Sequence, residues 1–139
     1  MTVARILTTA CAGLVLLLGT LHLTYTFFGP KLLPRDPHLM ASMQRTSMHI
    51  TAETTVWRAW IGFNASHSMG AMLFGLVFAY LAAVHPELLF GSAFLLAVGF
   101  AMLGGLVVLA KLYWFSIPFA GVTISLLCYL ASIVLWRFR

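Results

Sequence analysis

Acidic residues are nearly missing from this chain: Asp36, Glu53 and Glu87 are the only three among 139 residues. With so few carboxylates, a di-iron centre built from repeated Glu-x-x-His motifs is short of ligands. Cysteine is also scarce. Cys11 and Cys128 lie far apart inside apolar runs, without a CxxC pair or a zinc-ligand spacing. Both read as small core residues, since buried thiols are inert. There is no GxSxG elbow, no P-loop, no HExxH and no broken-helix repeat of the transporter kind. The eight Lys and Arg residues give a formal charge of +5, yet they sit at the ends of apolar runs or in one loop. That is membrane-flanking charge, with no basic-aromatic surface for nucleic acid.

Apolar residues are what the chain has in abundance: 62% are hydrophobic and 8% charged, outside the range of a soluble domain. Four segments, 6–28, 57–84, 88–110 and 114–136, meet the requirement of roughly 20 apolar residues per crossing. The first is too long for the apolar core of a signal peptide and is taken as a transmembrane helix. The links His85-Pro86-Glu87 and Lys111-Leu112-Tyr113 are short, so sequential helices are antiparallel neighbours. The expected fold is all-α, a single-domain (1–139) integral membrane up-down four-helix bundle.

The connection between spans 1 and 2 is longer. Gly29-Pro30 stops span 1, and Asp36-Pro37 reads as N-cap and N1 of a new helix. Polar residues alternate there with Leu39, Met40, Met43, Met48 and Ile50. The expectation is one amphipathic helical cap over 38–56, running without a break into span 2.

Read as one helix at 100° per residue, Arg45, His49, Glu53, Trp60, Asn64 and His67 fall within an arc of roughly 100°. Polar groups are expensive in lipid, so such a stripe points to a site. His22 in span 1 and His67 in span 2 lie roughly 9 and 15 Å below the long-loop surface, at 1.5 Å of rise per residue. The candidate ligand-binding residues are therefore His22, His49, Glu53, Trp60, Asn64 and His67, with Glu53 and His67 as candidates for proton transfer. The expected ligand is a hydrophobic small molecule with one polar end, such as a quinone or lipid-like substrate, held in a polar pocket at the long-loop end. Bis-histidine haem ligation by His22 and His67 is a second reading. A metal centre drawing on His22, His49, Glu53 and His67 is a third, and it lacks a second carboxylate. Whether the chain is an enzyme stays open.

Small residues recur at spacing four: Ala71, Gly75, Ala79 and Ala83 in span 2, Ala97, Ala101 and Gly105 in span 3, with Gly121, Ser125 and Ser132 in span 4. Such stripes permit close helix packing, either inside the bundle or against a second copy or a membrane-complex partner. An accessory subunit is accordingly the alternative function. For orientation, Lys31, Arg35, Arg45, Arg58 and Lys111 lie on the long-loop side, against Arg5, Arg137 and Arg139. The count falls to three against three if Arg45 and Arg58 belong to a folded cap.

The four-span layout, with Gly19-Thr20-Leu21-His22-Leu23 ending span 1, resembles the small bacterial membrane proteins grouped around DoxX. The resemblance implies a multi-pass protein of the bacterial inner membrane, with a quinone-facing or redox-associated role. The chain departs from the Arg-Ala-x-x-Asn-x-x-Glu pattern of the four-span glutathione-dependent MAPEG enzymes. Arg58-Ala59 is present, but Asn64 falls two positions late and no acid follows.

Overall fold

A computed structural model of the chain describes residues 2–138. In chain order its elements are α1 (Thr2–Phe27), α2 (Pro37–Arg45), β1 (Ser47–Met48), β2 (Thr51–Thr55), α3 (Val56–Val84), α4 (Pro86–Gly91), α5 (Ala93–Tyr113) and α6 (Ser116–Arg137). Helices α1, α3, α5 and α6 are each long and apolar enough to cross a membrane. A helix pairs every interior N–H and C=O within itself, which is what a segment in hydrocarbon requires. The chain divides into two compact units, residues 2–18 with 71–138, and residues 19–70.

In the first unit, the early part of α1 and the late part of α3 pack with α4, α5 and α6. Its core contains Ala12, Val15, Phe74, Phe78, Leu103 and Tyr129. A side chain on Gly75 would place its Cβ 2.7 Å from both the Ala12 carbonyl oxygen and Leu16 Cβ. Glycine there is what lets α1 and α3 approach so closely. Aromatic stacking continues the core: Phe74 on Phe78 at 4.3 Å, and Phe90 on Trp136 at 4.4 Å between ring centroids. Polar groups in this interior bond across helices. Thr8 Oγ1 donates to Ser132 Oγ (2.8 Å), which donates to the Tyr129 carbonyl (2.6 Å), while Tyr129 Oη donates to the Leu96 carbonyl (3.0 Å). Among the described residues no buried side-chain N or O atom lacks a partner. Arg5 Nε donates to the Ala82 carbonyl at 3.2 Å, and its Nη2 to that of Ala83. This cation sits at the C-terminal end of α3, where the helix dipole favours it.

The expected third span, 88–110, is interrupted. Pro86 opens the short α4, and Ser92 then caps α5 by accepting a hydrogen bond from Leu95 N at 3.3 Å. A serine hydroxyl offers the backbone an alternative to continuing the helix, so the chain restarts instead of running through.

The second unit begins in the last turns of α1. Gly29 follows that helix with φ +85°, a left-handed conformation that glycine adopts without strain. Asp36 caps α2 as expected, accepting from His38 N at 2.9 Å with Pro37 at N1. The expected helix over 38–56 forms only as far as Arg45. α2 stops at Arg45 with Thr46 as C-cap, and β1 and β2 follow as an antiparallel hairpin. Ser47 pairs with Thr55 and Met48 with Thr51, with an irregularity between, and His49 and Ile50 form the turn. Val56 N bonds to the Thr46 carbonyl at 2.9 Å at the hairpin's base. The cause is composition: Thr46, Ile50, Thr51, Thr54, Thr55 and Val56 are β-branched residues that lose side-chain freedom in a helix and suit a strand.

Candidate functional site

The helical stripe that linked the cap to span 2 is cut at Thr46, so the six residues no longer share one face. Arg45 ends α2 and donates Nε to its own Ala41 carbonyl at 3.2 Å. His49 lies exposed in the hairpin turn, and Glu53 lies exposed on β2, its backbone N–H donating to Thr51 Oγ1 at 3.1 Å.

Those histidines do meet. His22 on α1 and His67 on α3 make an edge-to-face contact, with ring centroids 5.4 Å apart and planes at 84°. Their expected depths, about one helical turn apart, are compatible with this contact. Asn64, one turn before His67 on α3, is 8% exposed, and its Oδ1 lies 2.9 Å from His22 Nε2. Asn64 Nδ2 donates to the Trp60 carbonyl at 2.8 Å. A carbonyl only accepts, so this bond fixes which end of the amide faces His22. With Oδ1 turned toward it, Nε2 is the donating nitrogen of His22, and Nδ1 is the acceptor whenever the ring is neutral. Thr26 Oγ1 bonds the His22 carbonyl and Ser68 Oγ the Asn64 carbonyl, both at 2.8 Å.

Trp60 does different work. Its indole Nε1 donates to the Leu32 carbonyl at 3.3 Å, and its side chain is 42% exposed. It ties the loop after α1 to the first turns of α3. Nearby in sequence, Lys31 Nζ lies 3.8 Å from the centre of the Tyr25 ring, a cation–π contact. The Leu32 carbonyl and the Lys31–Tyr25 pair were not anticipated. A backbone acceptor leaves no mark in sequence, whereas an aromatic residue one and a half turns before a loop lysine is a readable pattern.

The described residues contain no group of three or more His, Cys, Asp or Glu side chains placed to hold a metal. His22, His49, Glu53 and His67 therefore do not form the three-ligand set that a zinc-type centre needs. Haem ligation asks for both imidazole lone pairs aimed at one iron across a porphyrin. Here the rings are in edge contact and the His22 Nε2–H is committed to Asn64. An open cleft of about 520 Å³ belongs to the first unit, lined by Thr2, Arg5, Ile6, Thr9, Ala10 and Ala83, none of them an expected site residue.

What the arrangement offers chemically is two imidazoles in edge contact on two apolar helices, one of them held through Nε2 by Asn64. Compared with protein-family models, curated proteins and solved structures, the chain matches none of them.

Proposed function

We propose that this chain is a multi-pass protein of the bacterial inner membrane that binds the polar end of a hydrophobic small molecule at His22, Asn64 and His67. The observation that carries the reading is the 2.9 Å bond between His22 Nε2 and Asn64 Oδ1. An asparagine oriented by its own helix spends its carbonyl on accepting from His22 Nε2. A histidine that only needed to be satisfied could donate to a backbone carbonyl, as the Thr and Ser residues around it do. Holding Nδ1 as an acceptor suits a ligand with an O–H or N–H donor, such as a quinol or a lipid-like alcohol. The likeness to the DoxX-type proteins, with His22 at the end of span 1, agrees with a quinone-facing role. His49 and Glu53 are outside the contact set in this reading, and Trp60 serves to hold the loop.

The test is native mass spectrometry of protein released from bacterial membranes, alongside melting curves with an added short-chain quinol. The wild type is expected to carry an apolar small-molecule adduct or to melt higher with the quinol. His22→Phe and Asn64→Leu variants should lose about tenfold in affinity. Equal binding by the variants, or no adduct and no shift in the wild type, would remove the site.

A second reading, an accessory or self-associating subunit, is favoured by one observation. Ala71 and Gly75 on α3, like Ser125 and Ser132 on α6, are buried, but Ala97, Ala101 and Gly105 on α5 are exposed. That stripe offers close approach to a helix from outside the chain. Loss of cross-linked dimer in Ala101→Leu would support it.

A further inference from the structure

We propose that the cleft between the start of α1 and the end of α3 holds an anionic phospholipid, with its phosphate on Arg5 and an acyl chain along Ile6 and Ala10. Thr2, Arg5, Ile6, Thr9 and Ala10 of α1 line this open cleft of about 520 Å³ together with Ala83 of α3. The five α1 residues recur at spacings of three and four, so they share one face. Ala4, Thr8 and Cys11, on the other side of that helix, are buried in the core. The lining face therefore takes no part in core packing, and its two alanines leave the space open.

Arg5 is fixed at the cleft by two bonds. Its Nε and Nη2 donate to the Ala82 and Ala83 carbonyls, and a guanidinium has five N–H donors, so the rest remain for an anion. Carbonyl partners leave the guanidinium its net charge. No carboxylate lines the cleft, and Glu87 stands instead in the first turn of α4. A planar, oriented guanidinium without an opposing acid suits a phosphate.

The chemistry of the face follows the order of groups in a phospholipid. At 1.5 Å of rise per residue it runs roughly 12 Å from Thr2 at the end of the span to Ala10 inside it. Thr2 and Arg5 are placed for the phosphate, the Thr9 hydroxyl one turn on for an ester oxygen, and Ile6 and Ala10 for the chain. A free phosphate would use the cation and leave the apolar part of the cleft empty, whereas a lipid uses both. As a cap on α3 alone, Arg5 would need no cleft beside it.

The experiment extracts the full chain from nanodiscs holding equal amounts of phosphatidylglycerol and phosphatidylcholine with the same acyl chains, and reads the retained lipid by native mass spectrometry. The wild type should keep one lipid, with at least about tenfold preference for phosphatidylglycerol. Arg5→Gln should lose that preference. Ala10→Leu with Ala83→Leu fills the cleft and leaves the Arg5 side chain in place, so it should lose the lipid itself; both alanines are exposed, which keeps the added volume out of the core. Arg137→Gln, which removes another exposed cation near the end of α6, and His22→Phe should change neither result. Glycerol 3-phosphate, the headgroup without chains, should not raise the melting temperature as the lipid does. Equal retention of the two lipids by the wild type, an unchanged preference in Arg5→Gln, or equal stabilisation by glycerol 3-phosphate would each overturn the proposal. Should Arg5→Gln fail to fold, the wild-type preference and the filled-cleft variant still decide.

Discussion

At the scale of single residues, Asn64 makes the most specific contribution. It spends Nδ2 on the Trp60 carbonyl and Oδ1 on His22, so both ends of one amide are committed within two helices. Asn64→Leu would leave the His22 Nε2–H facing an apolar side chain, a loss of about 1–3 kcal/mol. Chemical denaturation in mild detergent should show this, and nitrogen NMR should report the Nε2–H tautomer of His22 in the wild type and its redistribution in the variant. The Thr8–Ser132 bond is a smaller effect. A double-mutant cycle with Thr8→Val and Ser132→Ala should return a coupling of about 0.6 kcal/mol, the usual size of an interhelical hydrogen bond in a membrane. The similar heights of His22 and His67 were legible from rise alone, because helices of known direction convert residue number into height; their contact was not. The role of Asn64 as the holder of His22 was not, since the rotation of α1 about its own axis decides whether His22 faces α3 or lipid, and composition does not encode it.

At the scale of elements, the spans were legible and their interruptions were not. Length and hydropathy define α1, α3 and α6 because the bilayer requires both, while Asp36-Pro37 announces α2 through capping chemistry that needs no tertiary context. The hairpin over 47–55 was misread because a short mixed run of β-branched and polar residues fits strand and helix alike until packing chooses. Its amides should exchange far faster than those of α5, since an irregular two-stranded ladder is marginal by itself. Hydrogen exchange with mass detection will show the contrast. Ser92 offered a readable signal, a capping residue between Gly91 and an apolar run, that the unbroken hydropathy of 88–110 concealed. Ser92→Ala should lower stability by about 1 kcal/mol in the same denaturation assay. Gly75→Val should cost more, because its Cβ would meet the Ala12 carbonyl oxygen, and a backbone atom cannot swing aside.

At the scale of the whole molecule, orientation can be argued again. Arg45 and Arg58 are exposed and are not folded into a core, so both count as flanking cations. Lys31, Arg35, Arg45, Arg58 and Lys111 then stand against Arg5, Arg137 and Arg139, and Arg5 is already engaged with the end of α3. The long-loop side is expected to be cytoplasmic, with residues 2 and 138 on the opposite face. Cysteines introduced at Ser47 and at Thr2 should respectively resist and accept a membrane-impermeant maleimide in intact cells. The interior of the first unit has a further consequence for how the chain is assembled. Thr8 and Ser132 are separated by 124 positions, and the Cys11 carbonyl accepts from Ser125 across nearly as many. Those polar groups of α1 wait for α6 before they have cross-helix partners, and until then the Thr8 hydroxyl can turn only to its own helix. A chain stalled or cut before α6 would therefore expose to lipid, or to a membrane-bound protease, a polar seam that the finished protein hides. Pulse-chase of such a truncated chain should show rapid clearance where the full chain persists.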